Sequence, residues 1–219
     1  MSLNVPYGVV GFTGRMGGEI VAACGGSPVL RVWDAGEECD ASPRVIFDFS
    51  SYTVLPHTIE LCRAHHAALV IGTTALKDEH IMQLRALGEE LPVVQSFNYS
   101  IGIALMAMML HEYGPLLADW DAEICEAHHN KKKDAPSGTA LTLAAEVGKH
   151  MDAPSSIASV RAGEIPGIHT VGFEGLNDRI TLEHEAFGRK ALAEGAVLAA
   201  TLTEGLTGVH EFKELLFSE

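Results

Sequence analysis

The first half of the chain alternates short apolar runs with segments of helical periodicity. Apolar runs of strand length lie at 5–10, 29–33, 45–49, 68–71 and 92–95. Helical segments lie between them at 15–24, 55–65 and 78–87. Strands that are apolar throughout are typical of a parallel sheet covered by helices on both faces. Because crossovers between parallel strands are right-handed, we predict a doubly wound, Rossmann-like α/β fold for this half.

The second half has the mixed pattern of an α+β domain. Helices are predicted at 100–117, 137–151 and 189–203, and strands at 121–127, 157–161, 169–173 and 179–185, the last three of them antiparallel. The segment 209–217 is too short to fold alone, so we expect the chain to return to the first half near its end. We therefore predict a Rossmann domain over 1–100, joined by about 205–219, and an α+β domain over 101–204.

Composition and charge narrow the classes of function. The 219 residues carry a net charge of −14, which argues against a nucleic-acid partner. The four cysteines are widely spaced, a pattern that predicts free thiols in a reducing compartment. Residues 1–6 lack the features of a signal peptide, and the most apolar stretch, 101–110, is too short to cross a bilayer. We expect a cytoplasmic protein without a membrane partner.

A glycine-rich turn follows the first predicted strand. The segment GFTGRMG at 11–17 has the spacing GxxGxxG, with Thr13 where the second glycine of a GxGxxG motif would fall. Between a strand and a helix, such glycines allow a tight turn and let backbone N–H groups approach a pyrophosphate. A turn that only packs a helix on a strand is the alternative, but the position after the first strand favours dinucleotide binding.

The end of the second predicted strand bears on the choice of dinucleotide. Asp34 lies 17 residues after Gly17 and can accept hydrogen bonds from the adenosine ribose, although it can also serve as a turn residue. Glu37 and Glu38 follow it, and three carboxylates would repel the 2′-phosphate of NADPH, with Arg15 as the nearby cation. We predict that NADH is used at least as well as NADPH.

Polar segments follow the fourth and fifth predicted strands. They read Gly-Thr-Thr at 72–74 and Phe-Asn-Tyr-Ser at 97–100. Ligands of open α/β sheets bind at the carboxyl ends of the strands, so both segments are expected near the nicotinamide. Each is also an ordinary way to enter a helix.

The most informative motif is EAHHNKKKDAPSGTA at 126–140. Its DAPSGT part opens a predicted helix, so the hydroxyl and N–H groups of Ser137, Gly138 and Thr139 would form an anion site suited to a carboxylate. Lys132 and the histidine pair at 128–129 precede this site and can supply charge and a proton. The alternative is a surface loop that leads into a capped helix.

These motifs resemble the dihydrodipicolinate reductase family, enzymes of diaminopimelate and lysine biosynthesis. The resemblance runs nearly end to end and includes the glycine turn, DFS at 48–50, GTT at 72–74, NYSIG at 98–102, the HH…KKDAPSGTA string at 128–140, RAG at 161–163, GIHTV at 167–171 and EH at 183–184. The string at 128–140 is its most specific part. Three departures stand out: the chain is short between 35 and 44, Ala35 stands where many members carry an arginine, which further weakens the expectation of NADPH, and Asn130 and Lys131 replace residues that are often arginine and histidine-like.

The resemblance implies a reductase that uses NADH or NADPH on a small cyclic dicarboxylate, and a homotetramer assembled through the sheet of the C-terminal domain. It implies proton donation by His128 and Lys132. It implies binding of the substrate carboxylates by His129, Lys132, Ser137, Gly138 and Thr139. Together, the motifs and the resemblance predict a dinucleotide site of Gly11, Thr13, Gly14, Arg15, Met16, Gly17, Asp34, Gly72, Thr73, Thr74, Asn98, Tyr99 and Ser100.

Three other functions fit parts of the sequence. A regulator that senses dinucleotides would need the glycine turn but not the histidines and lysine. A zinc hydrolase would use His128, His129, His169 and His184, although adjacent histidines are a poor chelating pair, so we expect no metal. Another two-domain dehydrogenase, such as a relative of aspartate dehydrogenase, would share the architecture.

Overall fold

The computed structural model describes residues 3–151 and 156–217, and the chain forms two compact units. Unit 1 contains the chain up to Tyr99 and again from Lys190 onward, and unit 2 is Ser100–Arg189. Among the described residues, no helix combines the length and the apolar character needed to cross a membrane.

Eleven strands and seven α-helices are described in these ranges. The strands are β1 (Tyr7–Val10), β2 (Leu30–Trp33), β3 (Gly36–Cys39), β4 (Val45–Asp48), β5 (Ala68–Ile71), β6 (Val93–Gln95), β7 (Asp121–His128), β8 (Ile157–Arg161), β9 (Ile168–Glu174), β10 (Arg179–Glu185) and β11 (Val209–His210). The helices are α1 (Arg15–Cys24), α2 (Leu55–His65), α3 (Asp78–Gly88), α4 (Ile101–Tyr113), α5 (Gly138–Val147), α6 (Lys190–Thr201) and α7 (Phe212–Phe217).

Unit 1 is built on a seven-stranded sheet with the order β11-β6-β5-β4-β1-β2-β3. Every pair is parallel except β2 with β3. The chain leaves the central strand β1 in one direction through α1, and leaves β4 in the other direction through α2. The adjacent carboxyl ends of β1 and β4 therefore form the switch point at which such sheets bind ligands. The predicted doubly wound parallel sheet is confirmed.

The core of unit 1 follows from its apolar strands. All residues of β1, β4 and β5 are buried, as expected for strands with helices on both faces. One cluster joins Ile46 and Leu69 of the sheet to Ile59 of α2 and Leu84 of α3.

Helix α6 packs on α1 and on β5, so it belongs to unit 1. The predicted second domain, 101–204, includes this helix, whereas the observed boundary lies between Arg189 and Lys190. The buried residues of α6 are mostly small, and a Cβ at Gly195 would lie 1.7 Å from the carbonyl oxygen of Tyr99. The close approach that this glycine permits explains why α6 packs in unit 1. The sequence did not predict this, because an alanine-rich pattern does not identify the sheet that a helix covers.

Strand β3 is absent from the sequence-based prediction. It forms a hairpin with β2 in which Trp33 pairs with Gly36, so Asp34 and Ala35 are the two-residue turn. All four residues of β3 are exposed at the edge of the sheet. The strand therefore lacks the apolar alternation by which a strand is recognised.

Unit 2 contains a four-stranded sheet with the order β10-β9-β7-β8. Strand β9 is antiparallel to both β7 and β10, but β8 is parallel to β7, so the prediction of an antiparallel strand at 157–161 is wrong. The reason is the long connection from β7 to β8, which contains α5 and serves as a crossover between parallel strands. Helices α4 and α5 pack on the sheet through a cluster that includes Met106, Ile124 and Leu143.

Substitution of Gly17 would show how closely α1 packs on the glycine turn. A Cβ at this position would lie 2.4 Å from the carbonyl oxygen of Gly11, whereas a Cβ at the neighbouring Gly18 would meet nothing within 4 Å. We expect Gly17→Ala to lower the free energy of unfolding by about 1–3 kcal/mol through overpacking. Gly18→Ala, the matched control, should leave it unchanged or raise it by up to about 1 kcal/mol, because alanine favours a helix more than glycine. Urea unfolding measures both, and equal stabilities of the two variants would contradict this account.

Candidate active site

The turn between β1 and α1 has the backbone geometry of an anion-binding loop. Gly11 has a φ of 82°, which favours glycine, and the N–H groups of Gly11 and Phe12 donate to the carbonyl oxygen of Val32 at 3.0 and 2.9 Å. Gly14 is the N-cap of α1 without a side-chain cap, so the first N–H groups of the helix are offered to a ligand. Gly17 allows the helix to approach the turn closely. Of the other residues predicted in this turn, Thr13 and Arg15 are exposed and Met16 is half-buried.

A cavity of about 470 Å³ lies at the carboxyl ends of β1 and β2. Its lining includes Gly11, Asp34 and Glu37. The Glu37 carboxylate lies 2.7 Å from Nε2 of His57, which also lines the cavity. Glu38 instead pairs with Arg31 at 3.2 Å and is not among the lining residues. Two of the three predicted carboxylates therefore face the cavity, and Asp34 both lines it and forms the hairpin turn.

A buried carboxyl group, that of Asp48, connects the loops at this edge of the sheet. It accepts hydrogen bonds from the N–H and hydroxyl of Ser50 at 3.0 and 2.6 Å, from Thr58 at 2.6 Å and from Thr73 at 3.0 Å. The hydroxyl of Thr73 is thus used inside the protein, which removes its side chain from the predicted cofactor set. Gly72 contacts the ring of Phe49, and Thr74 is exposed beyond the strand.

The segment after β6 also differs in part from the prediction. Tyr99 is 1% exposed, and its hydroxyl donates to the carbonyl oxygens of Ile71 and Val94, both at 2.9 Å. Its side chain is a core residue of unit 1 and not a cofactor contact, because the apolar ring is covered and the phenol is satisfied. Asn98 is half-buried, whereas Ser100 begins unit 2, where it caps α4 and lies 2.9 Å from Nε2 of His184.

In unit 2, strand β7 carries an acid and an imidazole toward the buried side of its sheet. Residues alternate between buried and exposed along β7, so Ala122, Ile124, Glu126 and His128 share the covered face. The first two join the apolar core with Leu143, and the last two extend the same face as a polar end. The alternation of the strand therefore brings Glu126 and His128 together.

Glu126 is the centre of a buried hydrogen-bond network. Arg161 donates to both of its carboxylate oxygens at 2.7 and 2.8 Å, and the N–H of Ser137 donates at 3.3 Å. Nδ1 of His128 lies 2.5 Å from the carboxylate. Burial alone would raise the pKa of Glu126, but hydrogen bonds from Arg161, Ser159 and His128 outweigh it and lower the pKa to about 2. Glu126 is therefore a carboxylate at any physiological pH.

His128 has one ring nitrogen engaged and one open. Its Nδ1 is held by Glu126, and no other described residue hydrogen-bonds its Nε2. A Cβ at Gly167 would lie 3.2 Å from Nε2, so the glycine leaves space beside this atom. Burial lowers the pKa of His128 and outweighs the opposite influence of Glu126.

His169 forms a second imidazole contact at the start of α5. Its Nε2 lies 3.1 Å from the hydroxyl of Ser137, which caps α5 by accepting from the N–H of Ala140, as the sequence predicted. The rings of His128 and His169 are 5.1 Å apart at an angle of 74°. Burial, followed by the charge of His128, lowers the pKa of His169 to about 4, so this imidazole is neutral near pH 7.

The three consecutive lysines have different surroundings. Lys132 lies 2.9 Å from the Asp134 carboxylate with its side chain 23% exposed, and it is close enough to lower the pKa of both His128 and His169. Lys131 pairs with Glu164 and is 73% exposed, and Lys133 is also exposed. Lys132 is thus the least exposed member of the run, and its charge is the one that influences the two histidines.

The remaining predicted residues surround the start of α5 or precede it. Gly138 begins the helix with open space where a side chain would be, and Thr139 follows in the first turn, half-buried. His129 is half-buried, and its Nδ1 has no hydrogen-bond partner among the described groups. Across residues 3–151 and 156–217, no group of three or more His, Cys, Asp or Glu side chains is arranged to hold a metal ion.

No motif in the sequence predicted a role in this site for Glu126, Arg161 or His169. The signal that could have found them is strand register. His128 lies opposite Arg161 on β8, and Glu126 lies opposite His169 on β9. This pairing is visible only when the order and direction of the strands are known.

Models of one protein family match most of the chain. The family model described as "Dihydrodipicolinate reductase, N-terminus" matches residues 29–99, and the family model described as "Dihydrodipicolinate reductase, C-terminus" matches residues 102–216. The 4-hydroxy-tetrahydrodipicolinate reductase of Thermosipho africanus is 40% identical over 96% of this chain and 97% of its own length. The enzyme of the same name from Stenotrophomonas maltophilia strain R551-3 is 38% identical over 90% of this chain and 85% of its own.

Solved structures share the fold. Dipicolinate-bound dihydrodipicolinate reductase from Paenisporosarcina sp. TG-14 matches with a TM-score of 0.80 and 21% identity over the whole of both chains. Aspartate dehydrogenase from Thermotoga maritima matches with a TM-score of 0.51 and 12% identity over 90% of this chain and 95% of that one.

A Rossmann unit with an anion-binding turn, joined to a unit with a histidine and lysine site, defines a pyridine-nucleotide-dependent oxidoreductase. Within that class, the chain belongs to the dihydrodipicolinate reductase family. Three predictions are confirmed: the family that the motifs indicated, the fold class of an α/β unit plus an α+β unit, and the reductase activity. The match favours this family over a dinucleotide-sensing regulator and over an aspartate dehydrogenase.

Proposed function

We propose that this chain reduces 4-hydroxy-tetrahydrodipicolinate, whose hydroxyl group leaves as water, or the dihydrodipicolinate that this loss of water produces, to tetrahydrodipicolinate in diaminopimelate and lysine biosynthesis. The observation that carries the proposal is the open Nε2 of His128, whose Nδ1 is held by Glu126 in the unit that contains α5 and its N-cap, Ser137. The solved relative was determined with dipicolinate, a small diacid of this kind.

The location we propose is the cytoplasm, because its reducing conditions suit four cysteines that are all free thiols. A disulfide in the native protein would argue against this location.

The substrate site consists of His129, Lys132, Ser137, Gly138 and Thr139. The N-terminus of α5 offers backbone N–H groups and the positive end of a helix dipole to one carboxylate. Lys132 supplies a positive charge for the other, since a carboxylate can exchange places with Asp134 as its partner. His129 contributes a ring whose buried Nδ1 has no hydrogen-bond partner among residues 3–151 and 156–217.

His128 and Lys132 are the catalytic residues. Bound NADH or NADPH supplies the hydride, and the reduced ring of the substrate then needs a proton. We favour Nε2 of His128 as the donor atom, because it is open whereas the ammonium group of Lys132 is engaged by Asp134. A dianionic substrate beside His128 would raise the pKa of this imidazole and so favour its charged form. Lys132 stabilises the negative charge that develops on the ring.

Alanine substitutions at Lys132 and at the neighbouring Lys131 test the catalytic role of Lys132. We expect Lys132→Ala to lose most of kcat while its Kd for NADH stays near the wild-type value, because the variant removes charge from the substrate site alone. Lys131→Ala is the matched control, since its ammonium group lies in solvent beside Glu164, and it should keep wild-type kcat.

The assay follows oxidation of NADH and NADPH by absorbance, with substrate freshly generated from pyruvate and aspartate semialdehyde. Wild-type protein without turnover in either cofactor would contradict the proposed function. A large loss of NADH binding in Lys132→Ala would contradict the assignment of the lysine to the substrate site.

We assign the dinucleotide to unit 1, where the glycine turn suits a pyrophosphate because Gly14 caps α1 without a side chain and leaves the first N–H groups of the helix to a ligand. The proposed contacts are Gly11, Thr13, Gly14, Arg15, Met16, Gly17, Asp34, Gly72, Thr74 and Asn98, with Ser100 kept from the resemblance alone. Asp34 faces the adenosine ribose. NADH binds at least as well as NADPH, since Asp34 and Glu37 line the same cavity and would repel a 2′-phosphate.

Glu37 and Glu38 form a matched pair for testing cofactor choice. In the wild-type protein, the Kd for NADH should be equal to or lower than the Kd for NADPH. We expect Glu37→Gln to improve NADPH binding relative to NADH, because it removes a negative charge from the cavity. Glu38→Gln should leave the ratio unchanged, since Glu38 pairs with Arg31. Fluorescence titration measures each Kd, and much tighter NADPH binding by the wild-type protein would refute the assignment.

The assembly we propose is a homotetramer held through the open face of the four-stranded sheet in unit 2. This face carries the exposed side chains of Cys125 on β7 and Val160 on β8, opposite the face that helices α4 and α5 cover. A sheet with an uncovered face containing apolar groups is stabilised by packing against another layer.

Light scattering after size exclusion should give the mass of four chains. Cys125 should react with a thiol reagent more slowly than Cys39, although both thiols are exposed in the single chain. Cys125→Arg should reduce the assembly size because it places a charge in the interface, whereas Cys39→Arg should not. A monomeric wild-type protein with equal reaction rates at the two thiols would exclude this arrangement.

A further inference from the structure

The buried partners of His128 carry an inference that rests on the proposed function and deepens it. We propose that Glu126 and Arg161 are positioning residues for proton transfer: Arg161 fixes the Glu126 carboxylate, which holds the Nδ1 proton of His128 inward and leaves Nε2 to exchange a proton with the substrate. Neither residue touches the substrate in this assignment. Both act through His128.

The protonation of the ring follows from the chemistry of the contact. A carboxylate can only accept hydrogen bonds, so the nitrogen of His128 that lies 2.5 Å from Glu126 must be the donor. In the neutral ring the proton is therefore on Nδ1, and Nε2 carries the lone pair. When the ring is charged, the proton on Nε2 is the one that faces the space beside Gly167.

Arg161 connects the two catalytic residues. Its guanidinium group donates to both oxygens of Glu126, which prevents rotation of the carboxylate. The same group donates to the carbonyl oxygen of Asp134 at 2.6 Å, and the side chain of Asp134 holds Lys132. One guanidinium group therefore fixes the acid behind His128 and the loop that carries Lys132.

The charged and titratable groups that face His128 come from four places. They are Glu126 on β7, Arg161 on β8, His169 on β9 and Lys132 in the loop after β7. Burial, Lys132 and Arg161 lower the pKa of His128, and Glu126 opposes them. Without the charge of Glu126, the pKa of His128 must fall, and less of the ring is protonated at a given pH.

Glu126→Gln tests the proposal because it keeps the size of the side chain and removes its charge. A proton donor is active below its pKa, so the high-pH limb of the kcat profile should move to lower pH by about one unit or more. Above that limb, kcat should fall by about tenfold or more. The Kd for NADH should not change. A purely structural role for Glu126 would not move the pH profile.

Glu146→Gln is the matched control. Glu146 is a buried carboxylate of the same unit, it lies 2.6 Å from Lys149, and it is at the far end of α5 from Ser137. Its substitution also removes a buried charge but leaves His128 untouched, so the pH limb should stay in place. A shift as large as that of Glu126→Gln would mean that any lost buried charge has this effect, and would overturn the proposal.

Two further measurements keep the test decisive if Glu126→Gln does not fold. Nitrogen-15 NMR of the wild-type imidazoles, with His128 assigned by a His128→Gln variant, should show the Nδ1–H tautomer at high pH, and the Nε2–H tautomer would overturn the inference. Arg161→Lys keeps a positive charge but cannot hold both carboxylate oxygens, so kcat should fall. An unchanged kcat in this variant would also overturn it.

Failure of the inference is distinguishable from failure of the proposed function. If the wild-type protein turns over substrate and Glu126→Gln keeps the wild-type pH profile, the positioning role is wrong and the reductase assignment stands. If the wild-type protein has no reductase activity, the tautomer of His128 still tests the positioning role without reference to turnover.

Discussion

The buried charge of Glu126 is the constraint on which the arrangement of unit 2 depends. Transfer of a carboxylate from water into a protein interior costs several kcal/mol unless it is compensated by hydrogen bonds and an opposite charge. Here the compensation comes from Arg161 on β8, His128 on β7 and the backbone N–H of Ser137 at the start of α5. The bonds that stabilise the charge therefore also fix the pairing of β7 with β8 and the point at which α5 begins. Removal of one partner of such a group typically costs about 3–5 kcal/mol.

Unit 1 uses a buried carboxyl group in a related way but with different partners. Asp48 lies at the carboxyl end of β4 and accepts hydrogen bonds from Ser50, Thr58 and Thr73. These bonds connect the ends of β4 and β5 to α2. The donors of Asp48 are hydroxyl and amide groups, suited to a rigid rim, whereas Glu126 contacts an imidazole and a guanidinium group, suited to control of a proton.

Features that depend on local pattern could be predicted from the sequence, and features that depend on strand pairing could not. The apolar strands β1, β4 and β5, the helix α1 and the cap at Ser137 follow from periodicity and from side-chain chemistry. The parallel direction of β8 does not, because it depends on how the connection containing α5 crosses the sheet. Membership of α6 in unit 1 likewise depends on the close packing that Gly195 permits.

The residues of the candidate site also divide into those that a local motif reveals and those that depend on strand pairing. The lysine, the histidine pair and the Ser-Gly-Thr helix start at 137–139 were visible in one contiguous motif. Arg161 and His169 reach Glu126 and Ser137 from other strands, so no local pattern reveals them. Tyr99 shows the opposite error: it stands within a polar loop segment, but the structure uses its ring in the core. A neighbour in sequence is thus a weaker guide to a role than a neighbour across a sheet.

The hairpin strand β3 carries a consequence for protein engineering. It is an edge strand exposed at every position, and its acidic side chains lie beside side chains of other elements, Glu37 beside His57 and Glu38 beside Arg31. Charged residues on an edge strand discourage pairing with the edge of another molecule. Broad neutralisation of these acids to widen cofactor range would leave an unprotected β-edge, and turbidity that grows with protein concentration would reveal the resulting self-association.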